Sequence, residues 1–156
     1  LGGSHEAAQE FYDSYFSAFP QIHAYLERVK HEALARGYTE TYFGRRRYFP
    51  GLKSKLPYIK AMNERMAMNA PLQGTAADIV KIAIKQVDNA LKHANLLGKA
   101  HLLLQVHDEL IYEVEEGAVT DVLKIIKPAM ETELNGVRFT VGASVGENWA
   151  SLAERV

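Results

Sequence analysis

Leu102–Val114 reads LLLQVHDELIYEV: two apolar runs separated by His107, Asp108 and Glu109. Each run has the length and β-branched or aliphatic content of a strand, and such runs suit buried strands. If Leu102 to Val106 and Leu110 to Val114 pair as a hairpin, the three titratable residues occupy the connection, exposed at one end of the sheet. The connection lacks the Asn-Gly or Gly-Gly that a tight hairpin prefers. Either it is a solvated polar turn, or its carboxylates serve as hard oxygen ligands. The second reading suits magnesium or manganese beside phosphate.

Outward from this stretch the elements fall into an order. His5 to Phe19 carries Ala8, Phe11, Tyr12, Tyr15, Phe16 and Phe19 at helical spacing and stops at Pro20. Ile22 to Ala35 forms a second helix closed by Arg36 and Gly37, and the aromatic residues of both helices are expected in the core. TETYFGRRRYFPGL has the pattern of a hairpin turning at Phe43 to Arg45. From Leu56 to about Asn95 the chain is helical, with Pro71 predicting a kink or break near Asn69, which would then cap the second helix. Gly98 ends this segment. After the Leu102–Val114 stretch, Ala118 to Leu134 has helical spacing, and Asn135-Gly136 turns the chain into a last strand over Val137 to Val145. Helices, hairpin, long helices and then strand, turn, strand, helix, strand predict an α+β fold built on an antiparallel sheet.

The chain of 156 residues, 47% hydrophobic and 24% charged, has the composition of an ordinary globular domain. It contains no cysteine, which excludes disulfides and Cys-based zinc sites. The opening LGGSHEAAQE has no signal-peptide pattern and no later run is long enough for a membrane span, so a cytoplasmic protein with no membrane partner is expected. The net charge of -1 hides an uneven distribution. Arg45, Arg46, Arg47, Lys53, Lys55 and Lys60 lie in a stretch without acidic residues, whereas Asp108, Glu109, Glu113, Glu115 and Glu116 crowd together. A basic groove beside an acidic centre suits a polyanion held with divalent cations; two solvated patches are the plainer alternative.

A second constellation lies in NERMAMNAPLQGTAADIVKIA. Arg65, Asn69 and Gln73 are four apart, one polar stripe on a continuous helix, and offer donors to sugar, phosphate and minor-groove acceptors. Gly74, Ala76 and Ala77 permit close approach of backbone or ligand. An exposed helix face with a small-residue packing seam explains the same residues. Two-metal phosphoryl transfer needs carboxylates from more than one segment. Asp78, Asp88, Asp121 and Glu131 lie on helical faces with ordinary explanations, so the residues alone offer only part of a metal site.

ERMAMNAPLQGTAADIVKIAI, then LLLQVHDELIYEV, then VGASVGENW, together with GYTETYFGRRRYFPGL ahead of them, resemble the C-terminal part of family A DNA polymerases, the bacterial DNA polymerase I type. The resemblance covers nearly the whole chain in the right order. It implies part of a right-hand polymerase fold: the end of the fingers over residues 1–64, with the basic hairpin, and a portion of the palm over residues 65–156, with the His-Asp-Glu turn. It further implies that Asp108 is a metal-binding catalytic aspartate, Glu109 its supporting acidic neighbour and His107 a residue near the primer terminus. By the same resemblance Arg65, Asn69 and Gln73 touch the primer–template minor groove and neighbouring sugars. Arg45, Arg46 and Arg47 would contact template or backbone phosphate. Mg2+ or Mn2+, primer–template DNA and a deoxynucleoside triphosphate follow as cofactor and partners.

The family's other catalytic aspartate, in a motif of the DYSQIELR type, has no match in the sequence. Neither does its nucleotide-binding fingers helix, its thumb or a proofreading exonuclease. Taken as complete, the chain could not hold two metals in the family's manner. The expectation is therefore a split subunit, a proteolytic product or an excised domain that completes its site with an upstream polymerase segment. Two other functions compete: a non-catalytic duplex-DNA-binding or assembly module, and a metal hydrolase built from His93, His101, His107 and Asp108.

Overall fold

The structure, a computed structural model, describes residues 5–155; the LGGS opening lies outside them. The chain divides between Thr75 and Ala76 into two compact units.

The first unit begins with α1 (His5–Ala18) and α2 (Pro20–Arg36). Pro20 opens α2, where a missing N–H costs nothing, and Gly37 ends it in the left-handed conformation with its N–H on the Ala33 carbonyl. Strands β1 (Tyr38–Glu40) and β2 (Arg46–Tyr48) pair antiparallel, Glu40 opposite Arg46 and Thr39 opposite Arg47. A 3-10 turn at Pro50–Lys53 then leads into α3 (Pro57–His93). Ala33, Phe49, Leu52, Ala67 and Ala70 form the core of this unit.

Two expectations change here. Pro71 does not break the helix: α3 runs through it without interruption, so Asn69 is an interior residue and caps nothing. Ala67 and Ala70 are packed into the core, and the Thr75 hydroxyl donates to the Pro71 carbonyl at 2.6 Å. Tertiary packing thus carries the helix across the hydrogen bond that proline cannot make. The aromatic face of α1 is also not core. Phe11, Tyr12, Tyr15 and Phe19 are 74, 51, 41 and 50% exposed; Tyr12 and Tyr15 meet Phe16 edge to face, and Tyr15 meets Phe19 tilted.

The second unit contains the rest of α3, then β3 (Ala100–Val106) and β4 (Glu109–Val114), paired antiparallel. Helix α4 (Val119–Met130) follows. Val87 and Leu91 of α3, Ala100 of β3, and Ala118 and Val122 form the core, with Tyr112 and Val114 of β4 packed on it. Helix α4 ends before the predicted Leu134. Glu131 is extended and Thr132–Leu134 is a strand, β5, which pairs with β6 (Val137–Phe139) across Asn135-Gly136. Both turn residues have positive φ, 50° and 77°, as a type I′ turn requires. The predicted last strand is likewise divided. β7 (Ala143–Val145) is separate from β6 and pairs with β8 (Ala153–Arg155). Among the described residues the architecture is α+β with antiparallel pairing throughout, as expected, but as four two-stranded ribbons.

Candidate nucleic-acid and metal site

The His-Asp-Glu segment is tighter than the sequence suggests. Val106 pairs with Glu109, so His107 and Asp108 are the whole turn and Glu109 already belongs to β4. His107 has φ 54°. A left-handed first turn residue is what a two-residue hairpin asks for, and histidine is among the few non-glycine residues enriched there. The Gln105 side chain donates to the His107 carbonyl at 3.0 Å and steadies the turn. All three side chains are exposed.

The ribbon beneath is not uniform. Leu102 pairs with Tyr112 but Leu104 with Ile111, so Leu103 is the extra residue of a β-bulge. Cross-strand partners share a face, so Leu102 lies on the core side with Tyr112. Beyond the bulge Leu104 and Val106 lie on the opposite side with Ile111 and Glu109. Leu102, Leu103 and Leu104 are 40, 56 and 45% exposed, which corrects the expectation that both apolar runs are buried. Only the base of the ribbon is packed on α3 and α4. A two-stranded ribbon has one face covered in this unit; the bulge turns Leu104 and Val106 of β3 onto the other, where Glu109 lies by the alternation of β4.

Asp108 and Glu109 supply hard oxygen donors of the kind a divalent magnesium or manganese ion takes. Among the described residues no group of three or more His, Cys, Asp or Glu gathers to hold a metal. These two residues therefore present part of a donor set. The His93, His101, His107 and Asp108 hydrolase receives no support from such a cluster. His93 Nδ1 lies 2.6 Å from the Asn89 carbonyl at the end of α3, and His101 is opposite Glu113 in the ribbon. Asp121 pairs with Lys124 at 3.3 Å and Glu131 with Arg138 at 3.5 Å. Asp78 is buried, which its helical spacing did not reveal.

In the first unit, Arg65, Asn69 and Gln73 are all exposed along one uninterrupted stretch of α3. Gln73 lines a cleft of about 200 Å³ together with Thr41, Gly74, Arg45 and Arg47. The arginine run resolves into three different surroundings. Arg45 donates through Nη2 to the Gly74 carbonyl at 3.0 Å. Arg46 does face an acidic residue: Nε lies 2.6 Å from Glu40, and its guanidinium sits 4.7 Å over the Tyr38 ring. The Glu40 carboxylate raises the Arg46 pKa further, holding its charge. Arg47, on the other face of β2, lies over Phe49 at 5.3 Å. Sequence reasoning missed Glu40, six residues before its partner, and the hydroxyls of Thr41 and Thr75. Thr75 was legible in principle, because a threonine four residues after a helical proline can return a hydrogen bond to its carbonyl.

Gly74 explains its own identity. A Cβ there would lie 2.6 Å from Thr41 Cγ2, so the hairpin loop approaches α3 as closely as a glycine allows. At this position the packing-seam reading of the small residues is the correct one.

Fold and residues together define an α+β chain with an acidic hairpin tip in one unit and a basic hairpin over a polar helix stripe in the other. Residues 1–151 match the model of DNA polymerase family A, and the chain belongs to that family. It is 45% identical over 150 residues to the thermostable DNA polymerase I of Thermus filiformis, covering 96% of this chain and 18% of that protein. It is 44% identical over 150 residues to DNA polymerase I of Pseudomonas aeruginosa, covering 96% of this chain and 16% of that one. The structure resembles the POL domain of Pol1 from M. smegmatis, solved in complex with DNA primer-template and dNTP. That match has a TM-score of 0.76 and 43% identity, over 81% of this chain and 22% of that chain. The chain thus spans less than a fifth of the length of these curated relatives. Among the described residues no helix is long and apolar enough to cross a membrane.

Proposed function

We propose that this chain supplies part of the active site of a DNA-directed DNA polymerase, a nucleotidyltransferase of replication or repair. In the reaction the primer 3′-hydroxyl oxygen attacks the α-phosphorus of a deoxynucleoside triphosphate. The new P–O bond extends the primer, the bond from the α-phosphorus to the α,β-bridging oxygen breaks, and pyrophosphate and the hydroxyl proton are released. The observation that carries the reading is the exposed two-residue His107–Asp108 turn with Glu109 directly after it, in a chain of family A. Primer–template DNA and a deoxynucleoside triphosphate as partners draw support from the M. smegmatis relative, which was solved with both kinds of molecule.

In this reading Asp108 is a metal ligand, Glu109 supports it and His107 stands near the primer terminus. Mg2+ or Mn2+ held there would supply charge stabilisation for the pentacoordinate phosphoryl transition state. The chain's own residues do the holding. Arg65, Asn69 and Gln73 contact the minor groove and sugars of the duplex, where a donor stripe meets the acceptors common to every base pair. Arg45 and Arg47, which line the same cleft as Gln73, take backbone phosphate. Arg46 is the least suited of the three, because Glu40 already neutralises it. Residues 1–64 correspond to the end of the fingers and residues 65–156 to a portion of the palm.

The donor set at Asp108 is partial, so we assign the second catalytic aspartate and the nucleotide-binding helix to polypeptide outside these 156 residues. The test is reconstitution. Primer extension is expected when the chain is mixed with a family A segment carrying those motifs, and not from the chain alone. Extension by the chain alone would overturn the assignment. Duplex binding without extension in any mixture would favour the non-catalytic DNA-binding module.

A further inference from the structure

The loop between β1 and β2 is fastened to α3 at the residues that follow Gln73. The Tyr42 N–H donates to Thr75 Oγ1 at 2.9 Å, and Thr75 Oγ1 donates in turn to the Pro71 carbonyl at 2.6 Å. A hydroxyl has one proton to give, so this pair of bonds fixes its orientation. Arg45 Nη2 donates to the Gly74 carbonyl at 3.0 Å. The loop is itself closed by Thr41. Its Oγ1 accepts from the Arg45 N–H at 3.2 Å, and its backbone pairs with Arg45 and Gly44 at 2.9 and 3.0 Å. The methyl of Thr41 fills the space that a side chain at Gly74 would need. Two polar anchors, one of them relayed by Thr75 to the Pro71 carbonyl, and one steric contact therefore fall within two residues of Gln73, which stays exposed on the cleft wall.

We propose that Thr75 and Thr41 are positioning residues for DNA: they hold the Thr41–Arg45 loop against α3 and so fix how Gln73 is presented to the duplex. The inference rests on the reading of Arg65, Asn69 and Gln73 as a duplex-gripping stripe. Proline at 71 makes the fastening useful. The helix lacks one backbone bond there, and the Thr75 hydroxyl ties the neighbouring carbonyl to the loop, so that the segment bearing Asn69 and Gln73 keeps one geometry.

The test is the affinity of the 156-residue chain for a fluorescein-labelled DNA duplex at fixed low salt, followed by anisotropy, with circular dichroism as a check on folding. Thr75→Val keeps the shape and removes the hydroxyl; it is expected to weaken binding roughly fivefold, the scale of one hydrogen bond. Thr75→Ser is expected to bind as the wild type does. In a Gln73→Ala background, Thr75→Val is expected to change affinity by less than about twofold, because the hydroxyl acts through Gln73. An independent pair uses the steric contact. Gly74→Ala is expected to weaken binding, and adding Thr41→Ser, which deletes the clashing methyl and keeps the hydroxyl, is expected to restore it.

Full additivity of Thr75→Val with Gln73→Ala would overturn the proposal, as would undiminished binding by folded Thr75→Val. So would failure of Thr41→Ser to rescue Gly74→Ala. These outcomes leave the duplex-gripping stripe standing. A wild-type chain that does not bind duplex overturns both the stripe and the positioning role.

Discussion

Val106 and Glu109 are cross-strand partners, so the chain reverses between them in only His107 and Asp108. The arrangement displays Asp108 at the tip and sets Glu109 on the strand face turned away from the core that Tyr112 and Val114 join. A flexible loop could bear the same residues without fixing either direction. Here the register does so.

The turn carries a backbone cost that can be measured. His107 occupies the left-handed region at φ 54°, where a residue with a Cβ is disfavoured relative to glycine by about 1 kcal/mol. His107→Gly is expected to raise stability by about that amount in urea denaturation. His107→Val, β-branched, is expected to lower it by more than that. Equal stability of all three would show that the turn relaxes and stores no strain.

Arg65 and Asp108 should separate binding from chemistry. Arg65→Ala is expected to weaken duplex binding and to reduce the slope of log affinity against log salt by about 1 if the contact is to phosphate. Asp108→Ala is expected to leave duplex affinity within about twofold, since a single exposed carboxylate adds no favourable contact to a polyanion. An Arg65→Ala variant with unchanged affinity and slope would remove Arg65 from the stripe.

Tyr112 gives the second unit a dependence on high pH. Burial pushes its phenol above the ordinary 10.0, and the charge of Asp88 pushes it the same way. The unfolded chain releases the phenolic proton first, so the stabilising effect is complete below about pH 10 and declines as pH rises through the folded value. Urea denaturation at pH 9 and pH 11 should therefore show wild type losing stability relative to Tyr112→Phe. A constant difference between the two proteins across that interval would contradict the assignment.

What could be read in the sequence, and what could not, divides along physical lines. The ribbon and its polar tip were legible because two apolar runs flank ionisable residues, and Asn135-Gly136 was legible because few other pairs take two positive φ values cheaply. The bulge was not, because Leu102, Leu103 and Leu104 are identical and only pairing decides which one is left over. Pro71 announced a break that tertiary contacts cancelled, through buried Ala67 and Ala70 and the Thr75 hydroxyl. The α1 aromatics marked an apolar face correctly, but periodicity says only that a face is apolar and not that anything within these residues covers it. Arg45, Arg46 and Arg47 looked alike as a charge run. Strand alternation separates Arg46, beside Glu40, from Arg47, over Phe49, and the loop position of Arg45 brings it to Gly74.

The central claim is that Asp108 is a catalytic metal ligand whose partner aspartate comes from outside these residues. Its most direct test is primer extension by the reconstituted mixture with wild-type chain, Asp108→Asn and Glu109→Gln compared in Mg2+. The account predicts that Asp108→Asn lowers the extension rate by at least about a thousandfold at unchanged duplex affinity, and that Glu109→Gln lowers it less. Extension by Asp108→Asn at close to the wild-type rate would contradict it.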